Sequence, residues 1–433
     1  MRQSLSILRI AAVAAVAAML PALTGAQVIA ITGGTVYPVS GPKIENGTVL
    51  IRDGKIAAVG AGVAIPEGAR RIDARGKWVT PGLIHTLTSL GLAEGGSPEF
   101  SGGYSDGRAR GADGIAATFD AWRGINPANT FIAPTRQEGV TSVGVIGGGG
   151  MIGGRTALID LVEASGASAM LRKAPTAMLG GFGSPSAGTG ARDEYWDKWR
   201  RLLDDVKAYQ VRRAAYETGS TRTFETTQAN LEALIPVVTG QLPLMLDVDR
   251  ASDILAALDF AKEYNLRLWL ANASEGWMVA KEIAAAKVPV FVGAMSDIPT
   301  SFEALGQRRE NAAMLRAAGV TVVLVGIGTS GGGDFNVRNI RQEAGNAVAY
   351  GLSWDDALRA VTLAPAEVMG VAGSVGSLQV GRDANVVVWS GDPFEFSTRA
   401  EQVFVQGRTF DTKSRQQQLT ERYLTLPPSY RRP

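Results

Sequence analysis

From residue 242 onward the hydrophobic pattern changes period at regular intervals. LPLMLDV reads as a buried strand, and residues 252–264 (SDILAALDFAKEY) carry apolar positions at helical spacing. LRLWLANA reads as the next strand and SEGWMVAKEIAAAK as the next helix. VPVFVGA and SFEALGQRRENAAMLRAAG repeat the pair, with the helix stopping at Gly319, and TVVLVGIG is a fourth strand. Ser353 and Asp356 then form a capping-box pattern that opens SWDDALRAVT. Strands recur about every 22–32 residues with one helix between each pair. That spacing predicts parallel βα units, which bury their strands most simply by closing into a barrel.

The two ends read differently. VIAITGGTVY, GTVLIRDGKIAAVG and ARRIDARGKWVT are β-rich runs with turn chemistry at Gly33-Gly34 and Asp53-Gly54, and GSLQVGRDANVVVWSG and AEQVFVQGRTF repeat the style near the carboxyl end. The predicted architecture is therefore α/β: a (β/α)8 TIM-like barrel over 81–375, with a small β-sandwich domain built from both chain ends, 27–80 and 376–412, and a tail over 413–433. Two polar, glycine-rich insertions, roughly 93–130 and 181–230, blur the earlier barrel units, and the second carries the aromatic, charged helix DEYWDKWRRLLDDVKAY.

Composition narrows the function. Glycine supplies 53 of 433 residues, against a usual share of about 7%, which predicts tight turns and close backbone approaches. The net charge is +2 without a Lys/Arg block, so nucleic acid has no electrostatic footprint here. There are no cysteines, which excludes thiolate metal sites, disulfides and a cysteine nucleophile. Residues 1–26 read as a signal peptide: Arg2 and Arg9, then the uncharged apolar run 10–20, then small residues ahead of Gln27. The expectation is an exported, periplasmic protein with no membrane segment once the signal is removed. Gly148, Gly150 and Gly153 match dinucleotide spacing, but Lys173 stands where an acid is needed, so a turn after a strand explains them better. No P-loop lysine triplet exists.

Several stretches in order resemble the amidohydrolase superfamily, in its imidazolonepropionase-like, cyclic-amide branch. They are WVTPGLIHTLTSLGL (78–92), RQEGVTSVGVIGGGGMIGGRTALI (136–159), LPLMLDVDRASDILAALDFAKEYNLRL (242–268) and GLSWDDALRAVTLAPAEVMGVAGSVGSLQVGRDANVVVWSGDPFEF (351–396). The resemblance implies hydrolysis of non-peptide C–N bonds by a hydroxide held on one or two divalent metals. The ion is needed because it lowers the pKa of bound water from about 15.7 to about 7. Without it, hydroxide at neutral pH costs about 12 kcal/mol.

The resemblance also implies a His-x-His pair on the first barrel strand, and this chain departs from it. In the matching frame His85 stands in the place of the usual Asp, and the pair itself has become Leu87 and Ser89. A position that often holds histidine is Asp247, and where the family's last strand ends in a catalytic Asp this chain reads Gly328-Thr329-Ser330, with Asp334 a few residues on. One histidine in the whole chain cannot supply a centre built on three or four.

Strand ends face the active-site side of such barrels. The candidate catalytic residues are therefore His85, Asp247 and Asp334, and the candidate substrate-binding residues Asp249, Asn272, Glu275, Asp297, Thr329 and Ser330. The plain reading stands beside each: acids at strand tips are often solvated or cap the next helix, and a lone buried histidine is more often a hydrogen-bonded core residue than a catalytic one. Alternation along an unbroken strand puts 85, 87 and 89 on one face. Ser89 would then lie about 13 Å from His85, too far for a nucleophile and its base. No cofactor is expected, though a divalent cation held by carboxylates alone would suit Mg²⁺, Ca²⁺ or Mn²⁺. The expected function is a small-molecule ligand binder of this family, inactive or paired with an intact amidohydrolase. The alternatives are an active hydrolase with a carboxylate or mononuclear metal site, and a purely structural partner.

Overall fold

A computed structural model describes residues 28–94, 104–107, 109, 111, 113–181, 191–295, 298–299, 301–326, 336–410, 413 and 415–424. The proposed signal segment lies outside them, as do Asp297, Thr329, Ser330 and Asp334.

The chain enters through five strands, β1 (Ile29–Val36), β2 (Ile44–Arg52), β3 (Lys55–Gly60), β4 (Arg70–Asp73) and β5 (Trp78–Pro81). Asp53 and Gly54 both have positive φ, 53° and 75°. They make the two-residue turn that pairs Arg52 with Lys55, the turn hand that suits twisted strands.

The barrel staves follow. β6 (Leu83–Thr88) leads into a small hairpin, β7 (Ala93–Glu94) and β8 (Tyr104–Ser105). Then come β9 (Val140–Val145), β10 (Ile152–Arg155), β11 (Ala157–Asp160), β12 (Leu171–Lys173) and β13 (Met178–Gly181). β14 (Leu244–Val248), β15 (Leu268–Asn272), β16 (Val290–Val292) and β17 (Val322–Leu324) complete the run. β6 and β9 are parallel, as are β13 through β17. The third stave runs the other way: β11 is antiparallel to β9 and β10 to β13. Only Thr156 separates β10 from β11, and its N–H donates to Ala177 O, so this bent stave joins the two halves. On the far side, between β17 and β6, the Gly326 N–H donates to the His85 ring and the Ile84 N–H to Val361 O.

Alternation sorts the stave side chains into two layers. Met245, Trp269, Phe291 and Val323 join Ile84 in an interior cluster. Their strand neighbours Leu244, Leu246, Leu268, Leu270, Val290 and Leu324 face the surrounding helices. A helical segment follows each strand, but the runs expected as single helices over 274–287 and 301–319 break up. The first becomes a 3-10 turn, Gly276–Val279, before Ala280–Ala285, and the second a 3-10 turn, Phe302–Ala304, well ahead of Asn311–Ala317. Ala251–Tyr264 ends at Asn265 in the left-handed conformation, and Asn311–Ala317 stops just before Gly319, whose φ is +93°. The Ser353 hydroxyl accepts from the Asp356 N–H and opens Trp354–Ala360. The second insertion contributes Arg192–Val211, whose apolar face lays Trp196 and Trp199 on Phe260, with ring centroids 5.1 and 6.1 Å apart.

The last strands, β18 (Val386–Trp389), β19 (Ala400–Val405) and β20 (Arg408–Thr409), return to the first sheet, where β18 pairs with β5. Both ends of the chain thus share one eight-stranded sheet. The described part of the tail is a helix, Arg415–Tyr423.

Candidate functional site

The site is built on a break in β6. His85 pairs with Val143 but Thr88 pairs with Val145, so three steps on β6 oppose two on β9. The extra residue is absorbed near Leu87, which takes φ 56°, a conformation that a branched side chain adopts only at a cost. The bulge reverses the alternation. Leu87 joins Ile84 in the interior cluster, so the expectation that His85 and Leu87 share a face does not hold. A bulge shifts side-chain parity by one residue, and nothing in LIHTLT announces it.

His85 is buried and both ring nitrogens are engaged. Nδ1 lies 3.1 Å from Val337 O, and Nε2 accepts from the Gly326 N–H at 2.8 Å. The partners fix the neutral form with its proton on Nδ1. Burial pulls its pKa down to about 4, against a smaller opposing pull from the Val337 carbonyl. A Cβ at 326 would fall 2.9 Å from the imidazole, so a glycine there lets the β17 end close on the ring. The histidine thus links Gly326 to Val337. Ser89 lies past the strand end, where its carbonyl accepts from the Leu92 N–H.

At the carboxyl ends of the staves a cavity of about 640 Å³ opens. Leu87, Ile146 and Leu179 form its apolar side, the glycines of 147–150 and 180–181 supply bare backbone, and Asp247 and Asn272 form its polar side. Several of the glycines are required by close approach. A Cβ on Gly150, where φ is +72°, would meet Gly114 O at 2.3 Å, and one on Gly180 would meet the Trp199 ring at 2.9 Å. These glycines and Leu87 shape the pocket although neither belonged to the expected site set. The only signal was the glycine run directly after a strand.

Asp247 sits two residues beyond Met245 on the interior face of β14, and Asn272 ends β15 beside it. The Asn272 Nδ2 donates to Asp247 Oδ1 at 2.6 Å. Asn272 and Ala273 both take positive φ, 64° and 44°, and this paired left-handed turn carries the chain away from the mouth while holding the amide on the carboxylate. The Asp247 side chain opens to the cavity, yet the mass of protein around the mouth still strips the carboxylate of solvation. That desolvation, with Asp249 adding repulsion, pushes its pKa up to about 6, and the Asn272 hydrogen bond works against the shift.

The other predicted residues have different occupations. The Ser274 N–H donates to Asp249 Oδ1 at 3.1 Å and the Ser274 hydroxyl donates to the same oxygen. Burial raises the Asp249 carboxyl and these bonds oppose the rise. Glu275 is buried, accepting from the Ala251 N–H at 2.9 Å and the Gly306 N–H at 2.8 Å. It caps one helix and holds a neighbouring loop. Asp247 and Asn272 therefore come together at the cavity, whereas Asp249, Glu275 and His85 are held in the surrounding frame.

The residues do not fit a histidine-based metal centre. The one imidazole has both nitrogens bonded within the fold, and Leu87 puts a methyl-tipped side chain where a ligand would project. Among the described residues no group of three His, Asp or Glu side chains is placed to hold an ion.

A model of the amidohydrolase family matches residues 207–414. An imidazolonepropionase from Maricaulis maris is 28% identical over 371 residues, spanning 80% of this chain and 87% of that protein. One from Acidiphilium cryptum is 26% identical over 371 residues, spanning 81% and 89%. Among solved structures, an amidohydrolase from Thermotoga maritima superposes with a TM-score of 0.79 at 27% identity, covering 88% of this chain and 99% of that one.

Proposed function

The chain belongs to the amidohydrolase superfamily, and on that premise we propose that it binds a small cyclic amide in the mouth cavity without metal-assisted hydrolysis. One observation carries this: a cavity is present, but Leu87 stands at a ligand position and, among the described residues, its polar side is Asp247 and Asn272. The imidazolonepropionase relatives point to a ring containing an amide. An Asp–Asn pair beside an apolar wall suits such a ring, whose N–H donates to the carboxylate while its carbon face rests on Leu87, Ile146 and Leu179.

Magnitudes argue against efficient hydrolysis here. Generating hydroxide without an ion costs about 12 kcal/mol, nearly nine powers of ten. A positioned general base typically recovers about 10²–10⁴-fold.

Calorimetric titration with hydantoin or a lactam tests the reading. Saturable binding to the wild type is expected, weakened about tenfold or more in Asp247→Asn, because a hydrogen bond to a charged group contributes about 1.5–3 kcal/mol. Absence of binding, or turnover that a chelator abolishes, would overturn it. A second reading has its own support: a carboxyl whose pKa is pushed up to about 6 is a better base than an ordinary aspartate. Slow metal-independent turnover that rises with pH through about 6 and vanishes in Asp247→Asn would favour that reading.

A further inference from the structure

We infer that the mouth cavity selects its ligand by charge, accepting neutral or cationic N–H-bearing molecules and rejecting carboxylates. The inference rests on the cyclic-amide reading and adds the electrical character of what that site takes.

Among the described residues that line the cavity, Asp247 is the one ionisable side chain. No Lys, Arg or His is among them. Apart from Asn272, the rest of that wall is aliphatic or glycine backbone, and close contacts at Gly147, Gly149, Gly150 and Gly180 leave no room there for a longer side chain. Asp249, two residues on, adds a second negative charge that Asp247 already feels. Asn272 donates to Oδ1 of Asp247, and Oδ2 makes no hydrogen bond within the described residues. Asp247 lines the cavity, so this second oxygen is an acceptor at the wall, and its natural complement is an N–H donor. An anion in the same place would meet like charge with no compensating cation among the described lining residues, a juxtaposition that disfavours binding.

The apolar wall sets the rest of the ligand. Leu87 stands where a polar metal ligand would otherwise project, and with Ile146 and Leu179 it offers a dry surface to a ring or short aliphatic group. The ligand class is therefore a compact amide or imide with one hydrophobic face, and without an acid group.

A matched series tests this with 5-benzylhydantoin as the neutral probe, its para-carboxylate, its para-aminomethyl analogue and its N-methylated form. Affinities are measured by titration calorimetry at pH 7.5 on the wild type and Asp247→Asn. The neutral and cationic probes should bind about tenfold or more tightly than the carboxylate. N-methylation should weaken binding in the wild type, and the charge preference should collapse in Asp247→Asn. A carboxylate that binds as well as the neutral probe would overturn the charge rule while leaving the cyclic-amide reading standing. Failure of every probe to bind would overturn both.

Discussion

His85 stands between a carbonyl at Val337 and an N–H at Gly326, so its neutral form is part of the fold. Its ordinary pKa of about 6.5 is restored on unfolding, whereas in the folded protein burial holds it at about 4. The unfolded chain thus binds a proton below pH 6.5 that the folded chain refuses. Stability contributed by this histidine is full above pH 6.5 and is lost as pH falls from there towards 4, to an extent of about 3 kcal/mol. Urea denaturation of the wild type and His85→Gln at pH 7.5 and 4.5 should show the wild type losing more on acidification. At pH 7.5, His85→Leu should cost about 2–4 kcal/mol by stranding both partners. Asp247 titrates in the other sense. Its carboxyl is charged only above about 6, so affinity for an N–H-bearing ligand should fall as pH drops through that value, and Asp247→Asn should flatten the profile. Both residues were legible from counting and strand-end position. Their occupations were not, because a hydrogen-bonded core histidine and a catalytic one look alike in a string of letters.

At the scale of elements, the strands after residue 242 and the helices Ala251–Tyr264 and Trp354–Ala360 follow the apolar periodicity closely, since each parallel stave is buried on both faces and each helix on one. The runs 274–287 and 301–319 instead form shorter helices than their pattern suggests. Ser353 caps where its spacing with Asp356 requires, and Asp53-Gly54 turns where two positive-φ residues are wanted. Two features escaped. The β6 bulge depends on how Leu87 meets β9, a long-range fit without local chemistry to mark it. The third stave runs antiparallel through short, glycine-rich strands that carry no clear period of their own. The insertion helix Arg192–Val211 shows a clearer logic, because its aromatic residues recur at helical spacing and pack on Phe260. Trp199 is fully buried, so Trp199→Ala should cost about 3–5 kcal/mol, read as a lowered denaturation midpoint. Its ring also backs Gly180 at the cavity wall, so the same variant should weaken ligand binding.

Over the whole molecule, the sandwich and the barrel are joined by charge as well as by chain. Arg172 on β12 reaches Asp160 on β11 and Asp383 beside β18, Lys55 also pairs with Asp383, and Gln406 donates to Asp160. This network lies away from the mouth cavity, since none of its members lines it. The architecture was legible because both ends share a β-rich style and the tail carries the most specific part of the family resemblance. The chemistry at the mouth was legible only as a loss, the replacement of two ligand positions by Leu87 and Ser89. The most direct test is metal content and turnover measured together on purified protein after incubation with Zn²⁺ or Mn²⁺ and removal of excess. The account predicts no stoichiometric ion and no chelator-sensitive hydrolysis of a cyclic amide that the protein nevertheless binds. One tightly held equivalent per chain, with hydrolysis abolished in Asp247→Ala, would contradict it.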